Sequence, residues 1–140
     1  MEHPDIYKQQ VKGTHAIING VMKAGMKRLL FVGGAGSLEV KPGVQSVDLP
    51  ESPAGYKQEA LATRKALNLL RNEPRLEWSF LSPFADLSPG KRTGNFRLGT
   101  DQLLRDANGM SRISVEDYAV AMIDEVEKPQ HIRQRFTVGY

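Results

Sequence analysis

Apolar positions along the chain alternate between helical stripes and short continuous runs. Val11, Ile18, Val21 and Met22 recur at helical spacing and predict one apolar helix face. Pro4 and Asp5 suit the first turn of that helix, and Gly25 suits its stop. Arg28 then launches Leu29-Leu30-Phe31-Val32, a run without polar interruption, as in a strand covered on both faces. It breaks into Gly33-Gly34-Ala35-Gly36-Ser37. Residues 38 to 53 hold Pro42, Gly43, Pro50 and Pro53 and no sustained period, which predicts a long loop.

Ser52-Pro53 reads as a cap and start for a second helix. That helix turns Ala60, Leu61, Leu67 and Leu70 inward, leaves Arg64, Lys65 and Arg71 to water, and ends at Pro74. Leu76 to Leu81 is the second strand, with Ser82-Pro83 as its stop. Residues 86 to 110 are polar and punctuated by glycine, with a short strand at Phe96-Arg97-Leu98. Ser114 reads as an N-cap, with Glu116 and Asp117 in the first turn of a helix from Val115 to Glu127. Spacing buries Tyr118, Ala119, Met122 and Val126 on it, and Pro129 ends it. Arg135 to Val138 is the last strand. Strands alternating with helices imply right-handed crossovers and a parallel sheet with helices on its faces, an α/β architecture in one domain over residues 1–140.

Composition removes several function classes. The net charge of +3 comes from 19 basic residues scattered among 16 acidic ones, without the basic cluster and interleaved aromatics of a nucleic-acid groove. There is no cysteine, so disulfides and thiolate metal sites are excluded. His3, His15 and His131 share no ligand spacing, so no metal is expected. No apolar run approaches the ~20 residues that span a bilayer. The first residues show no signal-peptide pattern. The expectation is a cytoplasmic protein that binds neither nucleic acid nor membrane.

The glycine turn invites a dinucleotide-binding reading, but the pattern does not fit. Glu39 stands where the fingerprint needs its third small residue, and Val40-Lys41-Pro42-Gly43 follows where a helix should open. Two readings remain level. In open parallel sheets ligands bind beyond the C-terminal strand ends, which would let Ser37 and Ser82-Pro83-Phe84 line one crevice. Alternatively the glycines make a tight turn and Ser37 bonds the backbone.

The segments Lys27 to Leu38, Trp78 to Pro83, Gly94 to Gly99 and Ser111 to Ala121 resemble, in order, the atypical short-chain dehydrogenase/reductases of the NmrA-like NAD(P)H-binding group. They are most similar to its small bacterial NADH-flavin reductase-like members. The resemblance covers nearly all of this chain but only the C-terminal two-thirds of the family's length. It implies a partial Rossmann-like sheet that lacks the N-terminal dinucleotide-binding strands, and hydride transfer from a nicotinamide to a flavin or small carbonyl compound. It implies that Ser37 is the catalytic hydrogen-bond donor. It also implies that Gly33, Gly34, Ala35, Gly36, Ser82, Pro83 and Phe84 contact the cofactor. The family's glycine-rich pyrophosphate turn is not among these residues, so NAD(P)H binding by the isolated chain is expected to be weak or absent. The Tyr-x-x-x-Lys pair is missing too: four residues after Tyr56 stands Ala60, and Lys57 projects about 100° away around a helix. The alternative is a non-catalytic interaction or redox-sensing module, or an inactive fragment. The family's strand order leaves Arg28 to Val32 without one neighbour, so a homodimer or higher oligomer is expected.

Overall fold

The computed structural model describes residues 5–50 and 56–140. Pro4 and Ser52-Pro53, read above as helix starts, lie outside the described residues. Helix α1 spans Ile6–Lys23 and strand β1 spans Arg28–Val32. The helix stops where a residue must turn left-handed: Gly25 has φ +73°, and its N–H donates to the Met22 carbonyl at 3.1 Å.

The expected long loop is partly ordered. β2 (Glu39–Lys41) and β3 (Val44–Gln45) form an antiparallel hairpin that turns at Gly43, φ +80°. A 3-10 turn at Ser46–Asp48 follows and buries Val47. Strands this short leave no period to read, and Pro42-Gly43 proves to be hairpin rather than loop chemistry. Helix α2, Lys57–Arg71, buries Ala62, Ala66, Leu67 and Leu70, while Ala60 and Leu61 are only half-buried. Arg64 is not left to water. It donates to Asp48 at 2.8 Å and Gln45 at 3.0 Å, which ties α2 to the hairpin.

Strand β4, Glu77–Pro83, runs through its expected stop. The Phe84 N–H reaches the Val138 carbonyl at 3.1 Å, so the nitrogen of Pro83 faces the other side, where β1 has already ended at Val32. No ladder bond is lost there, and the proline is tolerated. The remaining elements are β5 (Asp86–Ser88), β6 (Arg97–Gly99), β7 (Arg112–Ser114), α3 (Val115–Glu127) and β8 (Gln134–Gly139). The main sheet has the order β1-β4-β8-β6, with β1, β4 and β8 parallel and β6 antiparallel to β8. β5 and β7 form a second, parallel pair.

The sheet is covered on both faces, which is why β4 is buried without interruption from Trp78 to Pro83. Trp78 and Phe80 meet Ile18, Ala66, Leu67 and Leu70 of α1 and α2 on one face. Leu81, Phe136 and Val138 meet Tyr118 and Ala121 of α3 on the other. Phe80 is fully buried, worth about 1.5–3 kcal/mol by itself. Helix α3 corrects the sequence reading. Tyr118 is buried, Met122 is half-buried, and Ala119 and Val126 are exposed. The buried face carries Asp117 and Glu125 instead, because two loops fold onto this helix and their N–H groups need acceptors.

Candidate functional site

The site is organised by a strand residue. In β8, Arg135 lies opposite Phe80 and Thr137 opposite Ser82, so Arg135 and Ser82 share one face of the sheet. The buried guanidinium gathers the C-terminal end of β1 and the last residues of β4. Its Nη1 donates to Ser37 Oγ at 2.8 Å and to Ser82 Oγ at 3.3 Å, and its Nη2 donates to the Ser37 carbonyl at 3.1 Å. Its Nε donates to Asp101 at 3.0 Å, and Arg71 reaches the same carboxylate oxygen at 3.3 Å. Burial pushes the pKa of Arg135 down and the Asp101 partnership opposes it; a guanidinium stays charged in either case.

The two serines singled out from the sequence are therefore brought together. Ser37 is only 3% exposed and Ser82 fully buried. The turn between β1 and Ser37 is held further by the Gly33 N–H on the Leu81 carbonyl at 2.9 Å and the Val47 N–H on the Gly36 carbonyl at 2.8 Å. Its glycines answer first to packing. None of Gly33, Gly34 or Gly36 has a positive φ. A Cβ at Gly33 would lie 2.2 Å from the Phe80 ring, and one at Gly36 would lie 2.9 Å from Ala60. On those sides protein atoms occupy the space that a ligand would use, although all four residues from Gly33 to Gly36 keep some exposure.

Ser82, Pro83 and Phe84 are placed differently from the expected covering loop. Ser82 and Pro83 belong to β4, Phe84 follows directly, and all three are buried. The Phe84 ring fills the space beside Gly139, where an added Cβ would meet it at 1.8 Å. Exposed residues begin only at Ala85. Tyr56 is exposed. Tyr118, which the sequence reading used only as core, donates its hydroxyl to the Leu81 carbonyl at 2.7 Å, and burial drives its pKa up.

Two buried carboxylates fix the surroundings. Asp117 accepts from Thr93 N (2.9 Å), Thr93 Oγ1 (2.6 Å), Gly94 N (3.0 Å) and Tyr140 OH (2.6 Å), which ties the loop before β6 to the start of α3. Burial alone raises its pKa, but these donors outweigh it and bring the value to about 2. The helix itself is capped as predicted, Ser114 Oγ accepting from the Asp117 N–H at 3.0 Å. Glu125 binds Arg28 at 3.1 Å and His131 Nδ1 at 2.9 Å and accepts the Gln130 and His131 N–H groups at 2.9 Å each. His131 also stacks on Phe136, beside a pocket of about 440 Å³ between α3 and β6, on the sheet face away from α1 and α2. Sequence reasoning missed Arg135 and both carboxylates. The one available signal was a lone charge leading an otherwise apolar strand, Arg135 before Phe136-Thr137-Val138.

The chain matches a family described as NAD(P)H-binding over residues 3–126. The Bacillus subtilis protein YwnB, itself uncharacterized, is 42% identical over 131 residues, covering 91% of this chain and 62% of YwnB. A Bacteroides thetaiotaomicron structure provisionally named an epimerase is 50% identical with a TM-score of 0.90, covering 93% of this chain and 61% of that one. A Streptococcus pneumoniae structure provisionally named an NADH-flavin reductase is 35% identical with a TM-score of 0.87, covering 99% of this chain and 67% of that one. The chain thus spans about two thirds of the length of the relatives it matches. Among the described residues no helix is long and apolar enough to cross a membrane.

Proposed function

Since the chain belongs to the NAD(P)H-binding family and has its Rossmann-like α/β fold, we propose that it supplies the substrate side of an NAD(P)H-dependent reductase acting on a flavin or a small carbonyl compound. The observation that carries this reading is Ser37, set in the turn that follows the C-terminal end of the parallel strand β1, with its Oγ held by Arg135 at 2.8 Å. A guanidinium only donates, so the serine oxygen accepts and its own proton is left to donate. No acceptor for that proton is found among the described residues.

Bound NAD(P)H would supply the hydride. The half-exposed Gly34-Ala35-Gly36 backbone and Ser37 fit the nicotinamide end, the hydroxyl fixing a carbonyl oxygen next to the reacting carbon. The pyrophosphate end does not fit. The turn after β1 leads into the β2–β3 hairpin, so among the described residues no helix opens at that turn to meet the phosphates. Binding by this chain is accordingly weak, and turnover should approach saturation only at millimolar nucleotide. We assign it to the cytoplasm, where these cofactors circulate.

Purified chain, shown folded by circular dichroism, is to be mixed with NADH or NADPH and with FMN or riboflavin. Expected is flavin-dependent nucleotide oxidation above the protein-free background. Oxidation no faster than that background with every pair would overturn the reading and leave the non-catalytic module in its place. Low-micromolar nucleotide binding by calorimetry would contradict the weak-binding part alone.

A further inference from the structure

Ser37 and Ser82 meet on one buried cation, and both use their oxygens to accept from it. We infer that Arg135 is the positioning residue of the site: it fixes the rotamer of Ser37 and turns the hydroxyl proton outward as a polarised donor for a neutral carbonyl oxygen of the acceptor molecule. This inference rests on the reductase reading above.

Three features carry it. First, Arg135 holds Ser37 twice, at Oγ and at the carbonyl, so side chain and backbone move together. Second, the guanidinium is 5% exposed and its N–H groups are spent on Ser37, Ser82 and Asp101, so its charge is passed on through the Ser37 hydroxyl. A hydroxyl that accepts from a buried cation donates more strongly in turn, because successive hydrogen bonds polarise one another in a low dielectric. Third, Asp101 and Ser82 lock the guanidinium from the other sides, at 3.0 and 3.3 Å. The donor is therefore oriented before the ligand arrives, which is what makes such a group useful when charge builds on oxygen.

The buried cation also defines the ligand group. Phosphate or carboxylate recognition normally uses the guanidinium fork directly, and here the fork is spent on the protein's own oxygens. A ketone, a carboxamide or the carbonyl of a flavin ring needs a single directed donor, which Ser37 provides.

The experiment is a double-mutant cycle on flavin turnover with Ser37→Ala, Arg135→Gln and the pair, accompanied by FMN affinity from quenching of its fluorescence. Each single change should lower kcat about 100-fold, as for loss of one transition-state donor. The pair should be no slower than either single variant, and FMN affinity should stay within about threefold in all of them. Arg135→Lys keeps the charge but lacks the planar fork that holds Ser37 at both Oγ and carbonyl, so it should recover part of the rate; it also carries the test if the glutamine variant does not fold. Losses that multiply in the pair, or full kcat in Arg135→Lys and Arg135→Gln, would show that Arg135 is only structural and leave the role of Ser37 standing. Absence of turnover and of FMN binding in the unmodified chain would remove the reductase reading and this inference with it.

Discussion

Replacing Asp117 by asparagine tests how much one buried carboxylate holds the open end of the sheet together. Asp117 is fully buried and keeps its charge through four donors at 2.6 to 3.0 Å. Asparagine preserves the shape. Its Oδ1 can still accept from the Thr93 and Gly94 N–H groups, but its Nδ2 faces the hydroxyls of Thr93 and Tyr140, which must rotate to accept. What is lost is the charge. The shift from 3.8 to about 2 corresponds to about 2 kcal/mol at about 1.4 kcal/mol per unit. The folded pKa lies below the unfolded one, so this stability is fully present above about pH 4 and drains away as pH falls through about 2. Urea unfolding of both proteins from about pH 7 down to about pH 2 should therefore give a gap of about 2 kcal/mol that closes over the acid limb. Near neutrality the same gap should lower Tm by roughly 5–10 °C for a chain of this size. A gap below ~0.5 kcal/mol at neutral pH, or one unchanged down to about pH 2, would refute the view that ionised Asp117 anchors the loop.

Two glycines should respond in opposite directions: Gly33→Ala drives a Cβ into the Phe80 ring at 2.2 Å and should destabilise by about 1–3 kcal/mol, whereas Gly20→Ala, in open space within α1, should stabilise by about 0.5–1 kcal/mol. Thermal melts of the two variants decide this, and similar effects at both sites would contradict it. Self-association is proposed for the edge of β1, which among the described residues pairs only with β4 and ends on Val32, 60% exposed. Light scattering during gel filtration should give a multiple of 15.6 kDa, and a stable monomer at micromolar concentration would exclude it.

The sequence by itself determined the three helices, the parallel strands β1, β4 and β8 and their order, but not the short strands β2, β3, β5 and β7. A continuous apolar run between polar segments has few ways to be buried, and Arg28–Val32, α3 with its Ser114 cap, and the parallel arrangement all follow from local pattern. It offered Ser37 and Ser82 as neighbours at strand ends in one of two level readings. Tertiary structure alone decided what those serines bond to. Arg135 is 98 residues from Ser37 and 53 from Ser82, and nothing local links them. The same holds for α3: its periodicity offers Ala119 and Val126 as core, yet the folded helix buries Asp117 and Glu125. Hydrophobic spacing reports which side chains avoid water. It is silent on which backbone N–H groups and which oxygens will be stranded by distant segments; the N–H groups draw a carboxylate into the interior, and the oxygens draw a guanidinium.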